Sequence, residues 1–332
     1  MSWLFSNKSN RKLVRIFFAT DLHGSEHAFR KFINAAKFYE ASVLIMGGDV
    51  LGKLIVPIVK DRYGHYRATV QGETEEVETD TELKHLLNRI GAQGAYSKVM
   101  SAEEYQVVES EPSALDDLFH ELARKRISDW VDLAETRLKG TGVKCYITGG
   151  NDDYPDTLVP LQREDLESVI GCEGKEVQVA DQYTMISLGF SGPTPWNTPR
   201  ETDEETLAQM IEAMAVKVAD MNHCFFNLHD PPLDSTLDTC PMLDWNTDPP
   251  KQIVRGGQVV MYAAGSSAVR EAIEKYQPLL GLHGHIHESS GAIRLGRTLC
   301  INPGSEYGEG ILRGALVTLD GSKIEHYQLT SG

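Results

Sequence analysis

The chain has 332 residues, 41% of them hydrophobic and 24% charged, with 48 acidic against 32 basic side chains and a formal net charge of −16. That length supports a large core in one elaborated domain or two, and that charge excludes a non-specific nucleic-acid binder, because phosphate backbones are repelled wherever no basic patch intervenes. No run approaches the ~20 apolar residues of a membrane span, and the five scattered cysteines, Cys145, Cys172, Cys224, Cys240 and Cys300, read as reduced thiols of a cytoplasmic protein.

Trp3-Leu4-Phe5 is too short for a signal-peptide core, and the polar Ser6 to Asn10 make the start a loose tail. Leu13 to Thr20 is short, apolar and rich in β-branched and aromatic residues, the pattern of a buried strand. Glu26 to Glu40 then carries Phe29, Phe32, Ile33, Ala36 and Phe38 near helical spacing and leads into a second strand-like run, Ser42 to Gly48. This β-loop-α-β opening predicts a parallel pair. An insertion over 53–140 interrupts the rhythm. It begins with a hairpin in which Asp61-Arg62-Tyr63-Gly64 separates Leu54 to Val59 from the alternating Tyr66, Ala68 and Val70. The acidic stretch Glu73, Glu75, Glu76, Glu78, Asp80 and Glu82 reads as a solvated surface. Two helices follow, one with Leu83, Leu86, Leu87 and Ile90 on a face, the other with Leu115, Leu118, Phe119, Leu122, Ile127, Trp130, Leu133 and Leu138. Ser113 with Asp116 is a capping pair for the second. Their stripes are packing surfaces, onto the main sheet or between subunits of a homo-oligomer, with a lid beside the Asp49 loop as the alternative.

The core resumes with Val143 to Gly150 and a hairpin across Val177 to Leu188. Gly189 to Glu201 has too many prolines for regular structure, and its Trp196 and Arg200 are candidates to face a substrate. A helix from Asp203 to Ala219 precedes the strand Cys224 to Leu228. Leu279 to Leu282 is another strand, and the remainder is β-rich, with turns at Gly296-Arg297 and Asp320-Gly321.

Five of these strand runs stop just before a metal-binding side chain: Asp21 with His23, Asp49, Asn151, His229, and His285 with His287. Residues at the carboxyl ends of strands in an α/β sheet converge in space although far apart in sequence. In Gly284-His285-Ile286-His287 the two imidazoles project to the same side of an extended segment, so each can serve one of two adjacent cations. Gly47-Gly48-Asp49 and Gly149-Gly150-Asn151 present a carboxylate and an amide oxygen from tight turns. Nitrogen and oxygen donors without thiolate suit Mn²⁺, Fe²⁺ or Zn²⁺.

In this order the blocks resemble the calcineurin-like metallophosphoesterase superfamily, whose signature runs D-x-H, G-D-x-x-D, G-N-H-[DE], a histidine, and G-H-x-H. The matching segments are Asp21-Leu22-His23, Gly48-Asp49-Val50-Leu51-Gly52, Gly150-Asn151-Asp152-Asp153, His229 and Gly284-His285-Ile286-His287, and the resemblance runs from about Val14 to the Asn302-Pro303-Gly304-Ser305 turn, apart from the insertion. It implies a single α/β domain over 1–332 with a four-layer α/β/β/α sandwich, two facing mixed sheets flanked by helices. It also implies two divalent cations, Mn²⁺ first among the choices, one held by Asp21, His23, Asp49 and His287 and the other by Asp49, Asn151, His229 and His285. A hydroxide bridging the cations is then expected to attack a small phosphodiester or nucleotide, with Asn151, Asp152 and His229 acting at the phosphate.

Two positions depart from the pattern. Gly52 replaces the second aspartate of G-D-x-x-D, and Asp152 replaces the histidine that contacts the phosphate and assists the leaving group. Nearby cations keep a carboxylate ionised and therefore a poor acid, which leaves His27, Asp230 and Arg200 as candidate proton donors and favours diesters over dianionic monoesters. Ser25, Tyr154, His283, Asn302 and Ser305 are further candidates for the pocket. The competing reading is an inactive scaffold that binds a protein partner through the helical insertion.

Overall fold

The computed structural model describes residues 13–332; the segment Trp3 to Asn10, expected to be a loose tail, lies outside them. Among the described residues are six α-helices and two six-stranded mixed sheets, with four smaller sheets beside them. The first large sheet is built on three parallel strands, β1 (Val14–Ala19), β2 (Val43–Gly47) and β7 (Lys144–Thr148). It is extended by β8 (Val169–Gly171), parallel to β7, and by the antiparallel β21 (Arg313–Asp320) and β22 (Lys323–Ser331). The second is built on β10 (Tyr183–Leu188), β11 (Cys224–Leu228), β18 (Leu280–Leu282) and β20 (Thr298–Asn302), all parallel, with β9 (Glu176–Val179) and β19 (Gly291–Leu295) antiparallel at its edges.

The central strands read as continuous apolar runs because both of their faces are buried. Along β1, Ile16 and Phe18 join one cluster while Phe17 and Ala19 join another; along β2, Val43 and Ile45 part in the same way from Leu44 and Met46. The cluster of Ile16 and Phe18 also contains Met185, Phe225, Leu280, Leu282, Leu299 and Ile301 of the second sheet, so the two sheets share one core. The far side of the first sheet packs with Phe29, Phe32 and Ile33 of α1 (Glu26–Phe38) and with Ile127, Trp130 and Val131 of α4 (Pro112–Leu138). The far side of the second packs with Leu207 and Ile211 of α5 (Glu204–Ala215) and with Val269 and Ile273 of α6 (Ser267–Tyr276). The helix expected to run to Ala219 ends at Ala215, and Phe38, counted in the stripe of α1, is 79% exposed.

Over 53–140 the chain forms a four-stranded sheet, β3 (Ile55–Lys60), β4 (Tyr66–Val70), β5 (Glu73–Val77) and β6 (Tyr96–Ser101). Its own small core joins Ile58, Tyr66, Ala68 and Val70 to Leu86 and Ile90 of α2 (Asp80–Ala92). The acidic stretch is exposed as expected, yet it is ordered: it supplies β5, and Glu82 completes a capping box with Thr79 at the start of α2. A short helix absent from the sequence reading, α3 (Ala102–Ser110), buries no residue. The expected Ser113/Asp116 cap does not form. Helix α4 starts two residues earlier, after Glu111, with Pro112 in its first turn, where the missing proline N–H costs nothing. Its later turns belong to the main core, and Trp130 stacks on Phe29 at 4.1 Å. Six short strands between Thr239 and Ala263, β12 to β17, form small ribbons in a region where the sequence reading assigned no element.

Candidate metal centre

The parallel strands of each large sheet end on the same edge, and the candidate ligands lie just past those ends: Asp21 after β1, Asp49 after β2, Asn151 after β7, His229 after β11, and His285 and His287 after β18. Backbone pairing continues past the strands, with Asp21 N donating to Gly48 O (3.0 Å), His23 N to Asp49 O (2.9 Å) and Gly284 N to His229 O (2.9 Å). Asp21, His23, Asp49 and His285 all hold left-handed backbone, with φ of 54°, 41°, 45° and 66°. Non-glycine residues rarely adopt this region, and such strain persists where the surrounding structure enforces it, commonly at functional sites. The turn at Gly150 requires glycine because an added Cβ would collide with the Asp49 carboxylate.

All seven side chains converge. One ligand atom from each of Asp21, His23 and His287 lies within 4.8 Å of the others, and the same holds for Asp49, His229 and His285. The Nε2 atoms of His23 and His287 are 3.0 Å apart, His287 Nε2 is 3.4 Å from Asp21 Oδ1, and His23 Nε2 is 3.7 Å from Asp49 Oδ2. On the other side, Asn151 Oδ1 lies 3.1 Å from His229 Nε2 and 2.8 Å from His285 Nδ1, and Asp49 Oδ2 is 3.4 Å from His229 Nε2. His229 Nδ1 donates to Gly47 O at 3.0 Å, which turns Nε2 inward, the support that metal-binding imidazoles usually receive. Asn151 Nδ2 donates to Thr198 Oγ1 (2.9 Å), fixing which end of the amide faces the histidines.

The electrostatics of this cluster suit cations. Asp21, His23, Asp49 and His229 are at most 2% exposed, and a buried carboxylate requires a countercharge or ligand. Burial works to raise both carboxyls, but the His287 hydrogen bond and the His229 and His287 charges hold Asp21 down at about 2, and His229 holds Asp49 well below the usual range. Burial pushes His23 down to about 3 and His285 to about 4, so both rings keep a free lone pair. Burial works to lower His229, but the charge and hydrogen bond of Asp49, with Asp21 and the Gly47 carbonyl, together raise it to about 10. A bound cation replaces such a proton, since imidazole coordinates in its neutral form. Several imidazole nitrogens and carboxylate oxygens lie close enough together to hold metal cations, and among the described residues no Lys or Arg is ion-paired to Asp21 or Asp49.

At the first departure from the motif, a Cβ on Gly52 would land on the carbonyl oxygen of Gly94, in the inserted region, so no aspartate fits there. Gly52 N donates instead to the Tyr96 hydroxyl at 2.8 Å. Asp153 ties the loops together: its Oδ2 accepts from Val50 N (2.9 Å) and Gly150 N (2.8 Å), its Oδ1 from Leu51 N (2.9 Å). At the second departure, Asp152 N donates to Asp49 Oδ1 at 3.0 Å, and the Asp152 carboxylate forms an ion pair with Lys53. Burial, then Asp49, push the Asp152 carboxyl up to about 7 against the pull of Lys53. The depression expected of it thus depends on bound cations and is not a property of the polypeptide alone.

The proposed proton donors do not gather at the ligands. His27 is exposed on α1. Arg200 is buried, ion-paired to Glu173 and donating to Gly150 O at 3.0 Å, so it braces the Asn151 turn. Asp230 is buried, with Oδ2 accepting from Gly192 N (2.8 Å), and burial pushes it up to about 7. Asn302 Nδ2 donates to the Gly284 and Ile286 carbonyls, both at 3.0 Å, and Ser305 Oγ donates to Asp21 O at 2.7 Å, so both shape ligand loops. Ser25 caps α1, His283 is a buried core residue, and Tyr154 packs on Phe119 and His120. The sequence reading missed two residues at the cluster, Lys53 and Tyr307, whose ring lies 4.6 Å from that of His23. Neither stands in a motif or at a strand end.

Fold and site together define a mixed α/β protein with a buried cluster of possible metal ligands. No protein-family model matches the chain. The uncharacterized protein MJ1162 of Methanocaldococcus jannaschii is 27% identical over 132 residues, 39% of this chain and 51% of that protein. The chain thus spans about half the length of the curated relative it matches. Among solved structures, TT1561 of Thermus thermophilus is 12% identical, with a TM-score of 0.51 over 97% of this chain and 99% of its own. That similarity concerns the fold. An archaeal phosphodiesterase, 12% identical, aligns over 96% of this chain and 100% of its own at a TM-score of only 0.36. No helix among the described residues is long and apolar enough to cross a membrane.

Proposed function

We propose that the chain is a metal-dependent phosphoesterase acting on a small phosphodiester or nucleotide-type substrate, built on a four-layer α/β/β/α arrangement. The observation that carries this reading is the convergence of seven nitrogen- and oxygen-bearing side chains, from two facing sheets, on one strand-end edge. Asp21, His23, Asp49 and His287 would hold one cation; Asp49, Asn151, His229 and His285 would hold a second. When bound, such cations polarise phosphoryl oxygens and lower the pKa of water, supplying electrophile and nucleophile at one place. The polypeptide's part is preorganisation. Gly47 sets the His229 tautomer, Thr198 orients Asn151, Ser305 and Asn302 fix the ligand loops, and Asp153 locks the turns carrying Asp49 and Asn151 to each other.

Asp152, which lies beside the ligands and is not among those whose charge two cations would outweigh, supports a diester over a dianionic monoester. The test compares bis-p-nitrophenyl phosphate with p-nitrophenyl phosphate after chelation and after adding Mn²⁺. Mn²⁺-dependent release from the diester, exceeding that from the monoester, is expected. Cation binding with no hydrolysis of either would favour the scaffold reading, with the inserted region as its partner surface.

A further inference from the structure

We infer that Lys53 is the substrate-binding cation of this site, contacting a phosphoryl oxygen directly, with Asp152 as the residue that positions it. The inference rests on the phosphoesterase reading and adds a binding residue that the sequence motifs do not contain. Three observations carry it.

The first is position. Lys53 follows Gly52, whose backbone is fixed by the Tyr96 hydroxyl and pressed against Gly94, so the chain enters residue 53 from a rigid point. Its ammonium meets the Asp152 carboxylate. One Asp152 oxygen lies 3.9 Å from His23 Nδ1, and an Asp152 oxygen lies within 4.8 Å of the ligand atoms of both His23 and Asp49. The ammonium therefore stands one carboxylate away from two candidate ligands.

The second is availability. The Lys53 side chain is 48% exposed while that of Asp152 is 11% exposed, so the lysine meets both the cluster and the solvent from which a substrate arrives. Arg200 and Arg126, which touch the ligand loops, are committed elsewhere: Arg200 to Glu173 and Gly150 O, Arg126 to Gly24 O and Glu26. An ammonium has three donors, and the Asp152 contact does not exhaust them.

The third is charge. Asp152 adds an anion where an anionic substrate must enter, and an unpaired anion there opposes binding. Lys53 offsets it and supplies a charge-assisted hydrogen bond to a phosphoryl oxygen. The pair thus does with two side chains what the family pattern assigns to one histidine, in binding the phosphate.

The test uses the full chain loaded with Mn²⁺, as wild type, Lys53→Gln and Lys53→Arg. Mn²⁺ stoichiometry is measured first, inorganic phosphate affinity is then measured by calorimetry, and KM and kcat for bis-p-nitrophenyl phosphate complete the set. Loss of a charged hydrogen bond is expected to weaken phosphate binding by about ten- to a hundredfold in Lys53→Gln with Mn²⁺ stoichiometry unchanged. KM should rise more than kcat falls, and Lys53→Arg should stay within about threefold of wild type, since it keeps the charge. Unchanged phosphate affinity in Lys53→Gln would overturn the inference and leave the phosphoesterase reading intact. Loss of Mn²⁺ binding in that variant would also overturn it, by making Lys53 a structural support. A wild type that binds Mn²⁺ but neither phosphate nor the diester would defeat the phosphoesterase reading itself, and this inference with it.

Discussion

Asp230 shows how sharply this site separates neighbouring residues. It follows His229 directly and is buried, yet its carboxylate accepts from Gly192 N, and burial pushes it up to about 7. A carboxyl raised in the folded state contributes its full share of stability below the unfolded value near 3.8, and that share is lost as the pH rises towards about 7. Asp230→Asn keeps an acceptor for Gly192 and does not titrate. In chelated protein, its unfolding free energy relative to wild type, measured by urea titration, is therefore expected to improve between pH 4 and pH 8, by up to a few kcal/mol at about 1.4 kcal/mol per unit. A gap equal at both pH values would refute this. The same scale shows what a sequence makes legible. Asp21, Asp49, Asn151, His229 and His285 could be found because each closes or follows an apolar run whose strand direction fixes where it points. Lys53 could not: a lone lysine between glycine and leucine has no period, and its placement depends on Asp152, distant in sequence.

Among the elements, the inserted sheet and helices are joined to the ligand loops by backbone contact. Gly24, Gly52 and Gly94 meet with no room for a Cβ, and Ser25 Oγ donates to Ala92 O at 2.6 Å. Gly52→Asp, which would restore the family motif, is accordingly expected to destabilise the chain by roughly 1–3 kcal/mol or more through overpacking, measured as a lowered urea midpoint. A variant as stable as wild type would show that the two backbones can part. The hairpin at Asp61 to Gly64, helix α2 and the long helix were readable from alternation, turn residues and helical spacing. Helix α3 was not, because it buries no residue and so has no apolar stripe. The ribbons between Thr239 and Ala263 are strands of two or three residues, too short for any period to register. The start of α4 was misplaced because Ser113 resembles a cap, whereas Pro112 already occupies the first turn.

At the scale of the whole molecule, a formal charge of −16 and a buried group of carboxylates make divalent cations a natural source of stability. A ligand bound only by the folded state at a hundred times its Kd adds about 2.7 kcal/mol, so Mn²⁺ is expected to raise the unfolding temperature and chelator to lower it. The central claim is that strand ends from two sheets build one site for two cations sharing Asp49. Its most direct measurement is a calorimetric titration of chelator-stripped protein with Mn²⁺, run in parallel on Asp49→Ala. The account predicts two ions per wild-type chain and loss of tight binding of both in the variant. One ion or none in the wild type, or two still bound by Asp49→Ala, would contradict it.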